Sequence, residues 1–266
     1  MTSFFPNAPR ERQSNLGKMS IAISGDPGSG KTWLAHQAPK ALLLAVERGY
    51  DYLGDVHVQP IRHWKVTPHF LDAEKKVKNP EAAYGFVNCV SELLMTDHGF
   101  ETIIIDTIDA LHSLCIAHVG PPLGFNHPFE GLFGRNIKKG GQDDHGAAWG
   151  VVNEEMWPML QRLLSAEEMG VIFISHAADR EHGGRMAVDF GVPKSLAKKI
   201  KGAMTVSFYT YLTKSKNGYK FMATCRGHDG LVCAKDRTGV LPPTLELPKI
   251  GGWEVLQKHL HDGLAG

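Results

Sequence analysis

Eight consecutive residues, Gly25, Asp26, Pro27, Gly28, Ser29, Gly30, Lys31 and Thr32, satisfy the spacing G-x-x-x-x-G-K-[ST]. Residues of these types at this spacing can cradle phosphate. The glycines let the backbone bend until several N–H groups point inward, and the start of the following helix adds a favourable dipole. Lys31 then neutralises the β and γ phosphates, while the Thr32 hydroxyl is placed to ligate Mg2+. Such an ion also needs an acidic partner. Asp106, which closes the apolar run from Glu101, supplies one at the carboxyl end of a predicted buried strand, where open α/β sheets place their ligands. Asp109, one helical turn further on, reads as a helix-start residue.

Splitting a phosphoanhydride with water requires a group that orients and deprotonates that water. Glu47, at the end of the apolar run from Ala41, is the leading candidate for this general base. ATP and Mg2+ are therefore the expected cofactors, and ATP hydrolysis the expected reaction.

These residues need a scaffold, and the chain alternates strand-like and helix-like segments. Apolar runs at 19–24, 41–46, 101–106 and 171–175 are separated by helical patterns such as 31–38 and 107–119. The alternation predicts an α/β fold, a mostly parallel central sheet flanked by helices. Trp149, Val152, Met156, Leu160 and Leu163 recur at spacings of three and four, so they share one helical face. Beyond Lys201 the runs 203–213 and 218–225 are rich in β-branched and aromatic residues around Asn217-Gly218, which predicts an antiparallel hairpin extending the sheet. Residues 253–260 read as a final helix, and residues 1–16 as a flexible tail preceding one domain over 17–266. Two polar stretches, 120–147 and 177–202, read as long loops, either functional or disordered.

Bulk properties narrow the classes further. The 266 residues carry 29 Lys plus Arg against 28 Asp plus Glu, so the chain is no polycation, and a nucleic-acid site must be a local patch. The four scattered cysteines do not form a secreted disulfide framework and are expected to be reduced. Neither a signal peptide nor a membrane-spanning run is legible, which predicts a soluble cytoplasmic protein without a membrane partner.

A glutamate closing the strand after the P-loop helix is the arrangement of RecA-like ATPases, and Val171 to Ala177 resembles their strand that ends in a γ-phosphate sensor. His176 occupies the sensor position, where RecA has glutamine. The run Ala234-Lys-Asp-Arg-Thr-Gly239 resembles the lysine-x-arginine motif of RadA-like proteins and related phage ATPases. That resemblance implies that Lys235 and Arg237 reach the nucleotide of a neighbouring subunit, where cations stabilise the transition state. From about Gly17 to Pro243 the chain resembles the core-only, RecA-like single-strand annealing ATPases of phages. The resemblance implies a bacterial host cytoplasm, a homo-oligomer in ring or filament form, single-stranded DNA as partner in recombination, and a single-strand binding protein as a further candidate partner. It also places DNA-facing loops at the two polar stretches, with Lys194, Lys198, Lys199 and Lys201 as one phosphate-binding cluster and Arg135, Lys138 and Lys139 as another.

Several features stay open at the sequence level. Phe190 could stack on a base or pack in the core. Residues Phe5 to Ala8 resemble the Phe-x-x-Ala tether by which some recombinases dock on the next protomer. Cys225, His228 and Cys233 offer soft zinc ligands but lack paired spacing and a fourth member. The competing functions are a replication accessory ATPase, either a helicase loader or a helicase-like core, and a small-molecule phosphotransferase, which should carry an arginine-bearing lid.

Overall fold

The computed structural model describes residue 9 and residues 11–67, 80–120, 137–139, 142–144, 147–216 and 218–265, with backbone alone for 137–139, 142–144 and 147–149. In chain order the elements are β1 (Ser20–Gly25), α1 (Lys31–Ala35), β2 (Ala41–Ala45), β3 (His57–Pro60), α2 (Phe86–Met95), β4 (Thr102–Asp106), α3 (Ile108–Val119), β5 (Ile137–Lys139), β6 (Gln142–Asp144) and α4 (Ala147–Leu164). They continue with β7 (Gly170–His182), β8 (Arg185–Phe190), α5 (Lys194–Ala203), β9 (Val206–Ser215), β10 (Gly218–Thr224), β11 (Lys235–Asp236), β12 (Thr244–Leu247) and α6 (Gly252–Ala265).

The main sheet runs β12-β10-β9-β1-β7-β4-β2-β3, with β11 attached to β9 and β8 to β7. From β9 to β3 all neighbours are parallel, whereas β10, β12, β11 and β8 join antiparallel. This is the expected α/β architecture, including the hairpin of β9 and β10 that extends the sheet.

Central strands are apolar throughout because helices cover both faces. On β4, Ile103 and Ile105 point into one core layer and Ile104 into the other, all fully buried. The first layer packs α2, α3, α4 and α5 through residues such as Phe86, Leu111, Met156 and Leu196. The second packs α1 and α6 through Leu34, Trp253 and Leu256. Each such side chain contributes about 1.5–3 kcal/mol on full burial, which is what holds the strand ends in register. Val152, Met156, Leu160 and Leu163 all lie in the first layer, as their spacing requires. Cys233 also lies in this layer while Cys225 lies in the other, and among the described residues no group of three or more His, Cys, Asp or Glu side chains is placed to hold a metal ion.

The polar stretch 177–202 is not a loop. Strand β7 runs on past the sheet edge to His182, turns at Gly183 and Gly184, returns as β8, and continues into α5. Both turn glycines have positive φ, 59° and 82°, the backbone a tight hairpin requires. Burial of Ala187, Asp189 and Phe190 on the return strand anchors it. Within the stretch 120–147, strands β5 and β6 pair antiparallel, Ile137 opposite Asp144. Arg135 and the Phe5 to Ala8 segment lie outside the described residues, as do the side chains of Lys138 and Lys139.

Candidate active site

Strand register brings several of the candidate residues together at the carboxyl edge of the sheet. Gly25, the last residue of β1, is paired with His176 on one side and Thr210 on the other, and Ala45 of β2 is paired with Asp106 of β4. The phosphate-binding loop leaves β1 at this edge. A Cβ at Gly25 would stand 2.3 Å from the Thr210 carbonyl oxygen, so the close approach of β9 demands glycine. Gly30, at φ 85°, turns the loop into α1 with the Phe221 ring packed where a side chain would begin. The Ser29 hydroxyl shares a 2.9 Å hydrogen bond with that of Thr210, which ties the loop to β9.

Lys31 is buried, and its ammonium donates to the carbonyls of Gly25 at 2.9 Å and Asp26 at 2.8 Å. Burial pushes its pKa down, and the carboxylates of Asp106, Asp109, Asp26 and Glu47 pull the other way. Helix α1 is only five residues long. Loop N–H groups and Lys31 are therefore the main elements available to a phosphate chain.

Thr32 donates from its hydroxyl to Asp106 Oδ2 at 2.7 Å, which sets two hard oxygen donors side by side. Burial raises the Asp106 carboxyl above the usual carboxylate range, the Thr32 hydrogen bond opposes that rise, and the neighbouring Glu47 charge adds to it. The backbone N–H groups of Val46 and Glu47 both donate to the Asp106 carbonyl, at 2.7 and 3.2 Å, and so fix Glu47 immediately beside the strand end. Each oxygen of the Glu47 carboxylate has a donor: Thr107 Oγ1 at 3.0 Å and His176 Nε2 at 3.3 Å. The base and sensor candidates thus touch each other, and the other His176 ring nitrogen is buried without a hydrogen-bond partner.

Asp109 does begin α3, yet its carboxylate leaves the helix and accepts from Ser175 Oγ at 3.1 Å and from the His176 backbone N–H at 3.0 Å. Sequence reasoning missed this tie, together with Thr107 and Ser175, because nothing in local spacing reports contact between α3 and β7.

The two cation groups divide. Lys194, Lys198 and Lys199 are exposed on α5, opposite its buried Leu196, Ala197 and Ile200. Lys201 is partly buried and engaged in an ion pair: its ammonium binds both oxygens of the fully buried Asp189, at 3.0 and 2.9 Å. His182 Nε2 lies 3.1 Å from the same carboxylate, a close contact without hydrogen-bond geometry. Asp189 is not legible in the sequence as the partner of Lys201, because polar composition hides the hairpin that brings them together. Phe190 is likewise fully buried and cannot stack on a base.

Lys235 and Arg237 lie at the opposite edge of the sheet. Strand β11 pairs with Val206 and Ser207, the first residues of β9. Lys235 Nζ donates to the Lys201 carbonyl and Arg237 to that of Gly202, so both cap the carboxyl end of α5. Burial, then Arg237, pushes the Lys235 pKa down. From Val206 to Thr210, which flanks the loop, is four residues of strand, about 13 Å, so these cations are remote from the phosphate-binding loop of their own chain.

The model of the AAA domain family matches residues 17–238, most of the chain. No curated protein matches it. Among solved structures, the flagellar accessory protein FlaH of Methanocaldococcus jannaschii is similar at 11% identity and a TM-score of 0.43, over 87% of this chain and 85% of that one. A KaiC-like protein of Pyrococcus horikoshii gives 10% and 0.42 over 89% and 88%. A third solved structure, the ATPase domain of another protein, gives 13% and 0.44 over 89% and 83%. With its phosphate-binding loop at the edge of a mostly parallel sheet and a family match over residues 17–238, the chain belongs to the AAA domain family and is a P-loop ATPase.

Proposed function

We propose that this ATPase binds MgATP at Gly25 to Thr32 and uses it to switch a single-stranded DNA surface, promoting annealing as an oligomer. The observation that carries this reading is His176. Its ring holds the base candidate Glu47, and its backbone leads directly into the β7–β8 hairpin and then into α5, whose exposed Lys194, Lys198 and Lys199 are suited to phosphates. A side chain that senses phosphate at this point is covalently continuous with a candidate DNA surface.

Thr32 and Asp106 would hold Mg2+, and their adjacent oxygens suit a hard cation, which would neutralise phosphate charge when bound. Glu47 would orient and deprotonate the attacking water, with Thr107 and His176 setting its direction. Lys31 would leave the loop carbonyls for the phosphates. Lys235 and Arg237, too far from their own loop, would serve the neighbouring subunit.

The test is binding of a fluorescent single-stranded oligonucleotide without nucleotide, with ADP, and with a non-hydrolysable ATP analogue, using Lys31→Ala as control. The expected outcome is tight binding only with the analogue, lost in the variant. Sound ATP binding with indifference to DNA in every state would overturn the DNA reading and favour a replication accessory ATPase gated by a protein partner. Transfer of phosphate to a small acceptor would instead favour a phosphotransferase.

A further inference from the structure

Asp109 has no part in the roles just assigned, yet each oxygen of its carboxylate has a donor. Its Oδ1 accepts from Ser175 Oγ, and its Oδ2 accepts from the N–H of His176. Ser175 Oγ in turn accepts from the Gly191 N–H at 3.1 Å, and Gly191 also donates to the His176 carbonyl at 2.8 Å. Gly191 is the first of three residues between β8 and α5, and there is no room for a side chain on it. A Cβ there would stand 2.2 Å from Asp109 Oδ1 and 3.1 Å from the His176 carbonyl oxygen.

On the other side, Thr107 accepts from the Ala110 N–H at 3.2 Å as the cap of α3, and donates to Glu47. Glu47, Thr107, Asp109 and His176 therefore close a ring across the ends of β2 and β4 and the middle of β7. Each link is a hydrogen bond or a short stretch of helix. Burial raises the Asp109 carboxyl above its usual range, and the His176 N–H and Ser175 hydroxyl oppose that rise. An ionised carboxylate in such a place makes stronger, more directional hydrogen bonds than a neutral cap would. It costs stability to bury, so a helix start alone does not account for it.

We propose that Asp109 is a positioning residue for ATP hydrolysis: it fixes the main chain of His176, so that this ring meets Glu47 and nucleotide in one geometry, and links that geometry through Gly191 to the β7–β8 hairpin. This rests on the reading of Glu47 as base and His176 as sensor. It assigns Asp109 no contact with nucleotide. Its removal should therefore spare binding and slow the chemical step.

The experiment measures steady-state ATP hydrolysis and, separately, binding of a fluorescent ATP analogue, in Asp109→Asn, Gly191→Ala and the double variant of the full chain. Expected is a kcat lowered at least about tenfold with KM and analogue affinity within about twofold of the parent. The double variant should lose no more than the worse single, because both act on one contact. An unchanged kcat in Asp109→Asn, a parallel loss of affinity, or multiplicative losses in the double variant would overturn the proposal. If Asp109→Asn does not fold, Ser175→Ala, which removes one of the two donors to Asp109 together with one of the two acceptors of the Gly191 N–H, is judged by the same separation of kcat from KM. Glu47→Gln and His176→Ala distinguish the two levels. Normal turnover in both would sink the base and sensor reading itself, whereas their inactivity beside an active Asp109→Asn would sink only the role of Asp109.

Discussion

Two partly buried carboxyls at the carboxyl edge of the sheet, those of Asp106 and Asp109, have pKa values raised by desolvation above the usual carboxylate range. Folding therefore favours their protonated forms. The stability this provides is present at acid pH and is lost as pH rises through the raised values. At neutral pH both residues are kept at the expense of stability. Asp106→Asn should thus raise the melting temperature of the nucleotide-free protein at neutral pH, by roughly 2–4 °C for each kcal/mol recovered, while abolishing hydrolysis. The gain should shrink at acid pH, as the parent carboxyl takes up its own proton. Thermal melts at the two pH values, beside an ATPase assay, check both parts, and a variant less stable than the parent at neutral pH would refute the argument. Glu47 and Asp106 were legible as individual residues because each closes an apolar run. Their partners Thr107 and Ser175 were not, since a hydroxyl beside a strand end has no distinctive spacing.

At the scale of elements, the decisive unit is the β7–β8 hairpin with α5. Its Gly183-Gly184 turn and the Leu196, Ala197, Ile200 stripe were both present in the sequence, but polar composition masked them. The hairpin is locked by Lys201 on Asp189, and these two residues should behave unlike the lysines beside them. Asp189→Ala leaves a half-buried ammonium unpaired and should cost about 3–5 kcal/mol in urea unfolding. Lys198→Ala should change stability by less than about 0.5 kcal/mol. In the DNA-binding reading, Lys198→Ala should instead lower the salt slope of single-strand binding by about 0.7 per lost phosphate contact. An unchanged slope would return that face of α5 to plain solvation.

For the whole molecule, the separation of Lys235 and Arg237 from the phosphate-binding loop along β9 sets the requirement for assembly. If these cations act in trans, Arg237→Ala and Lys31→Ala should each be inactive alone and recover activity when mixed. The intact loop of one variant then meets the intact arginine of the other. Random pairing limits the recovered sites to roughly a quarter. Mixing that restores nothing, or an Arg237→Ala protein that turns over normally, would remove the trans role. The capping of α5 by the same two side chains predicts that Arg237→Ala also loosens the end of that helix, visible as faster amide exchange over residues 200–203.

Local order along the chain determined the phosphate loop, the alternation of strands and helices, and the apolar stripe of α4, because each depends on residues near one another in sequence. Among the described residues no helix is long and apolar enough to cross a membrane, in keeping with the absence of any long apolar run. Only the tertiary structure decided which neighbours those residues meet. Parallel register sets Gly25 beside His176 and Ala45 beside Asp106, pairs that lie 151 and 61 positions apart in the chain. It also decided that Lys201 is a structural ion pair while Lys198 is exposed at the surface, although the two differ by a single turn of helix. The reason is physical: a side chain's charge and type are properties of its residue, but the partner that uses or neutralises that charge is supplied by another strand.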